Sequence, residues 1–229
     1  MPGRRLLAPA LLLAALALAA CSTPPGTANE GGQPTDVPVT GTTTCVYNST
    51  GSAARPAELP PTENVPASGT TPMTITLNGQ AFTLTLDRAA APCTANSFES
   101  LALQGYFDQT ACHRLTDAGG LYVLQCGDPS GTGAGGPGYN FPDELEATSG
   151  YPAGTVAMAN SGPNTNGSQF FIVYEDSQLP NSYTVFGQLD EEGLEFVRQI
   201  ALGGQDGSFG ASGGGAPLIK VQIDSITAG

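Results

Sequence analysis

A loop rich in amide and hydroxyl side chains is the first candidate for chemistry in this sequence. The polar, uncharged residues that precede the apolar run Phe170–Val173 include Asn160, Asn164, Asn166, Ser168 and Gln169. Such side chains donate and accept hydrogen bonds and are suited to holding a peptide backbone. Composition alone nevertheless favours a simpler interpretation, a hydrogen-bonded turn that leads into a core strand.

Other kinds of catalytic site find little support. Cys112 and His113 are adjacent, and neighbouring side chains on a strand point to opposite faces, so they do not form a thiol–base pair. A serine triad would have to use His113, the only histidine, as its base. The glycine-rich segment 127–138 lacks the lysine and the Ser/Thr of a phosphate-binding loop. The acidic residues are scattered, and no cysteines show the close spacing of a zinc site, so we expect neither a metal nor a cofactor.

The N-terminal residues predict export and a lipid anchor. Arg4 and Arg5 precede an apolar run, Leu6–Ala20, that is shorter than the roughly 20 residues of a membrane span and is typical of a signal peptide. The run ends in Leu-Ala-Ala-Cys, which resembles the bacterial lipobox, so residues 1–20 are expected to be removed and Cys21 to be acylated. An ordinary secretory peptide with a coincidental cysteine is the alternative. We therefore predict an extracytoplasmic protein that is lipid-anchored at the cell membrane.

The acidic net charge argues against a nucleic-acid partner, and the remaining cysteines indicate disulfides. Loss of residues 1–20 removes two arginines and no acid, which changes the net charge from −13 to −15 and disfavours nucleic-acid binding. Besides Cys21 the chain has Cys45, Cys93, Cys112 and Cys126. An even number of cysteines in an exported chain predicts two disulfides, and the sequence leaves their pairing open.

The chain divides into a polar N-terminal segment and one domain. Residues 21–71 are dense in Pro, Gly, Thr and Ser and predict a flexible tether, to which Cys45 is an exception that could pin the tether to the domain. In the domain, 72–229, apolar and polar residues alternate on both sides of Asn78-Gly79, which predicts a β-hairpin. The further elements that the pattern predicts are helices at 92–104 and 191–202 and strands at 112–115, 121–125, 155–159, 169–173, 184–189 and 218–226. Many short strands and two isolated helices fit a single barrel.

Four segments resemble the cyclophilin-type peptidyl-prolyl cis/trans isomerases. The longest, Met158–Ile172 (MANSGPNTNGSQFFI), is similar to the family's signature nearly residue for residue. Cys112–Leu115 resembles its FHR segment, Val123–Asp128 resembles the strand that ends in QGGD, and Tyr183–Gly187 resembles H/Y-x-V-F-G. The likeness runs in order from about residue 73 to residue 226. It implies a mainly β fold, a closed eight-stranded antiparallel β-barrel capped by two α-helices.

The resemblance also implies a site that isomerises X–Pro bonds without a cofactor. Arg114 matches the family's catalytic arginine, and Gln125 matches the glutamine that orients it. The other positions that match substrate-binding residues are Tyr122, Val123, Ala159, Asn160, Gln169, Phe171, Leu179 and Tyr183. Phe171 would form the floor of a proline pocket, and the implied partners are proline-containing segments of exported proteins.

Three positions depart from the family pattern. Ten residues separate Arg114 from Gln125, more than is usual, which predicts an enlarged turn over 116–120. Tyr122 carries a hydroxyl where phenylalanine is common, and Gln178 stands where many relatives have a tryptophan, so we expect only weak cyclosporin binding. A cyclophilin-like module or chaperone that binds proline peptides with weak or absent catalysis remains the alternative function.

Overall fold

The computed structural model describes residues 41–229, with the side chain of Ser212 excepted. The predicted signal peptide, the lipobox cysteine Cys21 and the tether up to residue 40 lie outside the described residues. The strands of the described part are β1 Thr42–Thr43, β2 Asn48–Ser49, β3 Val65–Pro66, β4 Thr70–Leu77, β5 Gln80–Asp87, β6 Thr110–Ala111, β7 Arg114–Ala118, β8 Leu121–Cys126, β9 Tyr139–Asn140, β10 Thr155–Met158, β11 Phe170–Val173, β12 Val185–Leu189 and β13 Gln222–Ala228. The helices are α1 Pro92–Leu103 and α2 Glu191–Ala201, and a single 3-10 turn lies at Gly210–Ser212.

A curled antiparallel sheet forms the body of the protein. Its strands follow the order β6-β13-β4-β5-β12-β10-β11-β8-β7. This confirms the predicted mainly β architecture with two helices, although the sheet has nine strands rather than eight. The difference arises between β6 and β7, where Cys112 and His113 interrupt one stretch of chain. β6 pairs with β13 and β7 pairs with β8, so this stretch reaches both ends of the strand order.

The predicted hairpin joins β4 to β5. Asn78 and Gly79 form its turn, and both adopt positive φ, as a tight hairpin turn requires.

Alternating residues of the strands give the sheet one deeply buried face, as on β4, where Met73, Ile75 and Leu77 are buried. On α1, Phe98 packs against Phe107, Phe170 and Phe186 with ring centroids 5.0–5.2 Å apart. Helix α1 therefore closes this core with aromatic contacts.

The N-terminal part of the described chain differs from the predicted tether. Residues 41–71 contain β1, β2, β3 and the start of β4. Cys45 and Tyr47 are buried, and Cys45 forms a disulfide with Cys93 on α1. This segment is ordered without an apolar periodicity of its own, because it packs against the barrel instead of forming a core. The second disulfide joins Cys112 to Cys126 and settles the pairing that the sequence left open.

Candidate active site

A row of facing residues crosses four adjacent strands on the side of the sheet opposite the aromatic core. Arg114 on β7 lies opposite Gln125 on β8, which lies opposite Phe171 on β11. Phe171 in turn lies opposite Ala157 on β10. Because directly paired residues share a face of a sheet, the strand register itself places the arginine beside an apolar surface.

This surface forms a small cavity of about 140 Å³. Its lining residues are Arg114, Leu121, Val123, Gln125, Ala159, Asn160, Phe171, Leu179 and Tyr183. Phe171 is 4% exposed and the Tyr183 ring meets it edge-on, with centroids 5.6 Å apart. The cavity thus has aromatic and aliphatic walls and one cationic group, an arrangement that suits a compact apolar ring with a polar atom at its edge.

Arg114 is held by contacts on two sides. Its Nη1 donates to Gln125 Oε1 at 3.2 Å, and its Nε donates to the Gly213 carbonyl at 3.1 Å. The guanidinium carbon lies 5.8 Å from the centroid of the Phe209 ring. Partial burial lowers the pKa of Arg114, an effect that Tyr183 opposes, but a guanidinium remains protonated in proteins. The site therefore presents a fixed positive donor.

A chain of amide hydrogen bonds orients the arginine. Gln125 Nε2 donates to Gln169 Oε1 at 2.8 Å, which leaves Gln125 Oε1 to accept from Arg114. Gln169 Nε2 donates to the carbonyls of Gly133 and Gly135, both at 2.9 Å. Gln169 thus uses both polar ends of its side chain inside the protein, and it lies outside the small cavity.

The glycine-rich loop that receives these bonds is organised by one buried carboxylate. Asp128 accepts backbone N–H groups from Ser130, Gly133 and Gly135 at 2.7–3.0 Å. Burial raises the pKa of Asp128, but hydrogen bonds from Ser130, Gly135 and Gly133 outweigh it, so the net shift is downward. The charged carboxylate fixes the loop carbonyls that hold Gln169.

A second cavity, of about 440 Å³, adjoins the first. The two share Gln125, Ala159 and Asn160 in their walls. The Asn160 side chain donates to the Ser182 carbonyl at 2.8 Å and accepts from the Gly162 N–H at 3.2 Å, which fixes its orientation. Ala159 and the fixed Asn160 therefore form a ridge that lines both cavities.

Tyr122 is the predicted site residue that lines neither cavity. It lies between Leu121 and Val123 on β8, and alternation directs it to the opposite face, where its ring is 6.0 Å from that of Tyr174. Leu121, which the family resemblance does not identify as a site residue, lines the small cavity instead. Spacing by two from Val123 and Gln125 is the signal that would have found it.

The structure does not contain the enlarged turn that the sequence predicts over 116–120. Residues 116–118 continue β7, and Ala118 pairs with Leu121. Only Gly119 and Gly120 form the turn, both with positive φ. The additional residues lengthen a regular hairpin instead of forming a loose loop beside Arg114.

No group of three or more His, Cys, Asp or Glu side chains within residues 41–229 is arranged to hold a metal ion. The same part of the chain contains no helix of the length and apolar character that a membrane span requires.

Comparison with protein families gives a match over most of the chain. Residues 72–228 match the family model described as cyclophilin type peptidyl-prolyl cis-trans isomerase/CLD. A protein from Mycobacterium leprae named probable peptidyl-prolyl cis-trans isomerase B is 48% identical over 198 residues, which cover 80% of this chain and 65% of that protein. Its namesake from Mycobacterium tuberculosis is 45% identical over 196 residues, covering 80% of this chain and 63% of that protein. This chain thus spans less than two thirds of the length of either relative.

A solved structure has the same fold. A cyclophilin type peptidyl-prolyl cis-trans isomerase from Cryptosporidium parvum superposes with a TM-score of 0.59 at 31% identity, covering 70% of this chain and 98% of that one. The same protein crystallised in the presence of the dipeptide Ala-Pro gives a TM-score of 0.57 at 31% identity, covering 69% of this chain and 98% of that one.

Proposed function

The chain belongs to the cyclophilin-type peptidyl-prolyl cis/trans isomerase family, and on this basis we propose that it catalyses the isomerisation of X–Pro peptide bonds. One observation carries the proposal. Arg114 stands at the edge of an apolar cavity whose floor is Phe171, and Gln125 fixes the direction of its guanidinium. The Ala-Pro dipeptide named with the Cryptosporidium structure supports a proline-containing ligand for this site.

The chemistry needs neither a nucleophile nor a metal. Rotation about a peptide bond has a barrier of roughly 18–20 kcal/mol, which arises from amide resonance. For X–Pro bonds the uncatalysed exchange takes tens to hundreds of seconds. In the twisted transition state the prolyl nitrogen loses this resonance and regains a lone pair that can accept a hydrogen bond.

Arg114 would act on that nitrogen. A donor that bonds the prolyl nitrogen only when its lone pair is free stabilises the transition state more than the ground state, which is the condition for catalysis. Phe171, Val123 and Leu179 would hold the pyrrolidine ring while the preceding carbonyl rotates. Because the protein grips the proline and its neighbouring backbone, many sequences can serve as substrates.

Isomerase activity of the Arg114→Ala variant tests this mechanism. Removal of one preorganised transition-state donor is expected to lower kcat by about 10²- to 10³-fold. Arg114→Lys is expected to recover little, since an ammonium lacks the planar donor array that Gln125 holds. NMR exchange on an X–Pro peptide measures the rates, and circular dichroism checks the fold.

Arg198→Ala is the matched control, because Arg198 is a partly exposed arginine on α2 that pairs with Glu175. It should retain the wild-type rate. A near-wild-type rate for Arg114→Ala would contradict the mechanism. A wild-type protein that binds X–Pro peptides without accelerating their exchange would favour the alternative, a binding module or chaperone.

The proposal extends to where the protein works. The lipobox-like Leu18-Ala19-Ala20-Cys21 supports an acylated N-terminus at the outer face of the membrane, where the clients would be exported proteins. Two disulfides, Cys45–Cys93 and Cys112–Cys126, are consistent with an oxidising compartment. With Gln178 in place of the tryptophan of many relatives, weak cyclosporin binding is part of the same proposal.

Mass spectrometry of the mature protein tests the anchor. We expect residues 1–20 to be absent and Cys21 to carry a diacylglyceryl group, with the protein in the membrane fraction. Cys21→Ser should release it from that fraction. An unmodified Cys21 in the mature wild-type chain would refute the anchor while leaving the isomerase mechanism untouched.

A further inference from the structure

The larger cavity has a wall that the barrel does not supply. Thr50 and Ser52 line it, together with Ala159 and Asn160 of the ridge. Both come from residues 41–66, the polar segment that precedes the barrel strands and that we call the N-terminal strap. The strap therefore contributes to a cavity that shares its ridge with the candidate proline pocket.

Backbone pairing fixes the strap along the glycine-rich loop. β2 pairs with β9, and beyond it the Thr50 N–H donates to the Gly138 carbonyl at 2.9 Å. The Ala54 N–H donates to the Gly136 carbonyl, also at 2.9 Å. Gly138 has positive φ, and a Cβ there would lie 2.9 Å from the Gly51 carbonyl oxygen. Only glycine permits this close approach of the two chains.

Contacts on both sides of Thr50 and Ser52 hold the strap to the barrel. Upstream, Cys45 is bonded to Cys93, and the Tyr47 hydroxyl donates to the Cys93 carbonyl at 2.8 Å. Downstream, Arg55 Nη1 donates to the carbonyls of residues 105, 106 and 108 at 2.7–2.9 Å. The wall is thus positioned before any ligand arrives, which lowers the entropy cost of binding.

We infer that the N-terminal strap determines specificity: Thr50 and Ser52 form a subsite for a polar, uncharged side chain of a residue flanking the substrate proline. The inference rests on the proposed isomerase function and assigns it a selectivity. When the proline of a peptide occupies the small cavity and the chain continues past the shared ridge, a neighbouring side chain enters the larger cavity and meets the strap.

The chemistry of the lining favours this class of side chain. The described residues that line the larger cavity carry hydroxyl, amide or small apolar groups and include no charged side chain. Hydroxyls such as those of Thr50, Ser52, Ser161 and Thr165 donate and accept, and so match amide or hydroxyl side chains. A charged side chain would lose hydration there without gaining a counter-ion, which is costly.

Isomerisation kinetics on a peptide series test the inference. The peptides carry Gln, Leu or Glu at each position flanking the proline, and Ala-Pro peptides with only alanine flanks measure the basal reaction. We expect the wild-type protein to have its lowest KM for a Gln-flanked peptide. The Thr50→Val/Ser52→Ala variant removes both hydroxyls with little change of shape and should raise that KM by about 2- to 10-fold for each lost hydrogen bond. Its kcat should not change, and neither should its KM for the alanine-flanked peptide.

A bulky substitution and its neighbour provide the second comparison. Ser52→Trp fills the cavity and should abolish the preference for Gln, whereas Ser49→Trp lies on the same strap, is exposed and lies outside the lining, so it should retain the preference. Equal changes for all peptides, or an unchanged preference in Thr50→Val/Ser52→Ala, would overturn the inference. If the wild-type protein isomerises none of the peptides, the proposed function fails instead.

Discussion

At the scale of single residues, His113 is a buried polar side chain next to Arg114. It is 6% exposed, and neither ring nitrogen has a hydrogen-bond partner among the described residues. Burial lowers its pKa below 6.5, nearby Arg114 adds to this effect, and Asp128 opposes it. The imidazole is therefore neutral in the folded protein at pH values where it begins to be protonated in the unfolded chain.

This difference predicts a pH dependence of stability. Between the lowered pKa and about 6.5, the unfolded chain binds more protons than the folded protein, so stability present above this range is lost as pH falls through it. Over one pH unit this group can contribute at most about 1.4 kcal/mol to the free energy of unfolding. Urea unfolding at pH 7.5 and 5.5 measures the loss, which should be smaller in His113→Phe than in the wild type. An equal loss in both proteins would contradict the prediction.

Most residues of the site can be recognised in the sequence, but the face of the sheet on which each side chain lies cannot. The signature segment and the Cys112–Leu115 segment identify Phe171 and Arg114. The prediction that Tyr122 lines the pocket is wrong, because family resemblance across a hairpin of unusual length does not fix which residues of β8 face the cavity. Strand register decides this, and register depends on pairing with distant β11. The role of Gln169 as a link to the loop carbonyls likewise needs three-dimensional information.

At the scale of elements, the glycine-rich loop 127–138 is better organised than its composition indicates. Composition predicts an irregular surface loop, because glycine adds conformational freedom without contacts. Asp128 supplies the missing constraint by accepting three backbone N–H bonds, and it is fully buried. Gln169 connects this loop to Arg114, because it donates to the loop carbonyls and accepts from Gln125, which in turn accepts from Arg114.

The Asp128→Asn substitution tests that connection. An amide has one acceptor oxygen where the carboxylate has two, and its NH₂ group would face backbone donors, so at least one buried N–H loses its partner. A cost of about 1–3 kcal/mol in the free energy of unfolding is expected. The kcat for X–Pro isomerisation should also fall, since Gln169 no longer finds fixed carbonyls at Gly133 and Gly135.

Asp117→Asn is the matched control for this prediction, because Asp117 is an exposed aspartate on β7. Urea unfolding and NMR exchange kinetics on the same preparations measure both effects. A stability loss with an unchanged kcat would mean that the loop supports the fold without orienting Arg114.

Elements with local sequence signals are predicted closely. Asn78-Gly79 fixes the β4–β5 hairpin, and Pro92 marks the first residue of α1. On α2, Asp190 caps the first turn by accepting from the Gly193 N–H at 2.9 Å, and the helix ends one residue before the predicted position. These features depend on interactions within a few residues, which the sequence displays directly. The split between β6 and β7 depends on two different partner strands and has no such signal.

At the scale of the whole molecule, the N-terminal strap shows where composition misleads. Few of its residues could bury a core, which is why the sequence predicts a tether. The strap gains its order from a surface that already exists: Tyr47 meets Tyr139 and Phe141 edge-on, with ring centroids 5.5 and 5.6 Å away. Cys45 is the one local signal of this docking, and its partner is 48 residues distant.

Separate removal of the two disulfides should have unequal effects on stability. Cys45–Cys93 spans a sequence separation of 48 residues and Cys112–Cys126 one of 14. In the chain-entropy model a cross-link stabilises by restricting the unfolded chain, by about 4 kcal/mol for the longer separation and about 3 kcal/mol for the shorter. Urea unfolding of Cys45→Ser/Cys93→Ser and of Cys112→Ser/Cys126→Ser measures the two losses.

The two variants should also differ in function. Without Cys45–Cys93 the strap keeps its β2–β9 pairing and the Arg55 hydrogen bonds, so the reaction of alanine-flanked peptides should persist while selectivity among flanking residues declines. Cys112 precedes His113 and Arg114, and Cys126 follows Gln125, so loss of this disulfide should lower kcat for every peptide. The opposite pattern, selectivity lost with Cys112–Cys126 and general activity lost with Cys45–Cys93, would show that the strap supports Arg114 rather than the binding of flanking residues.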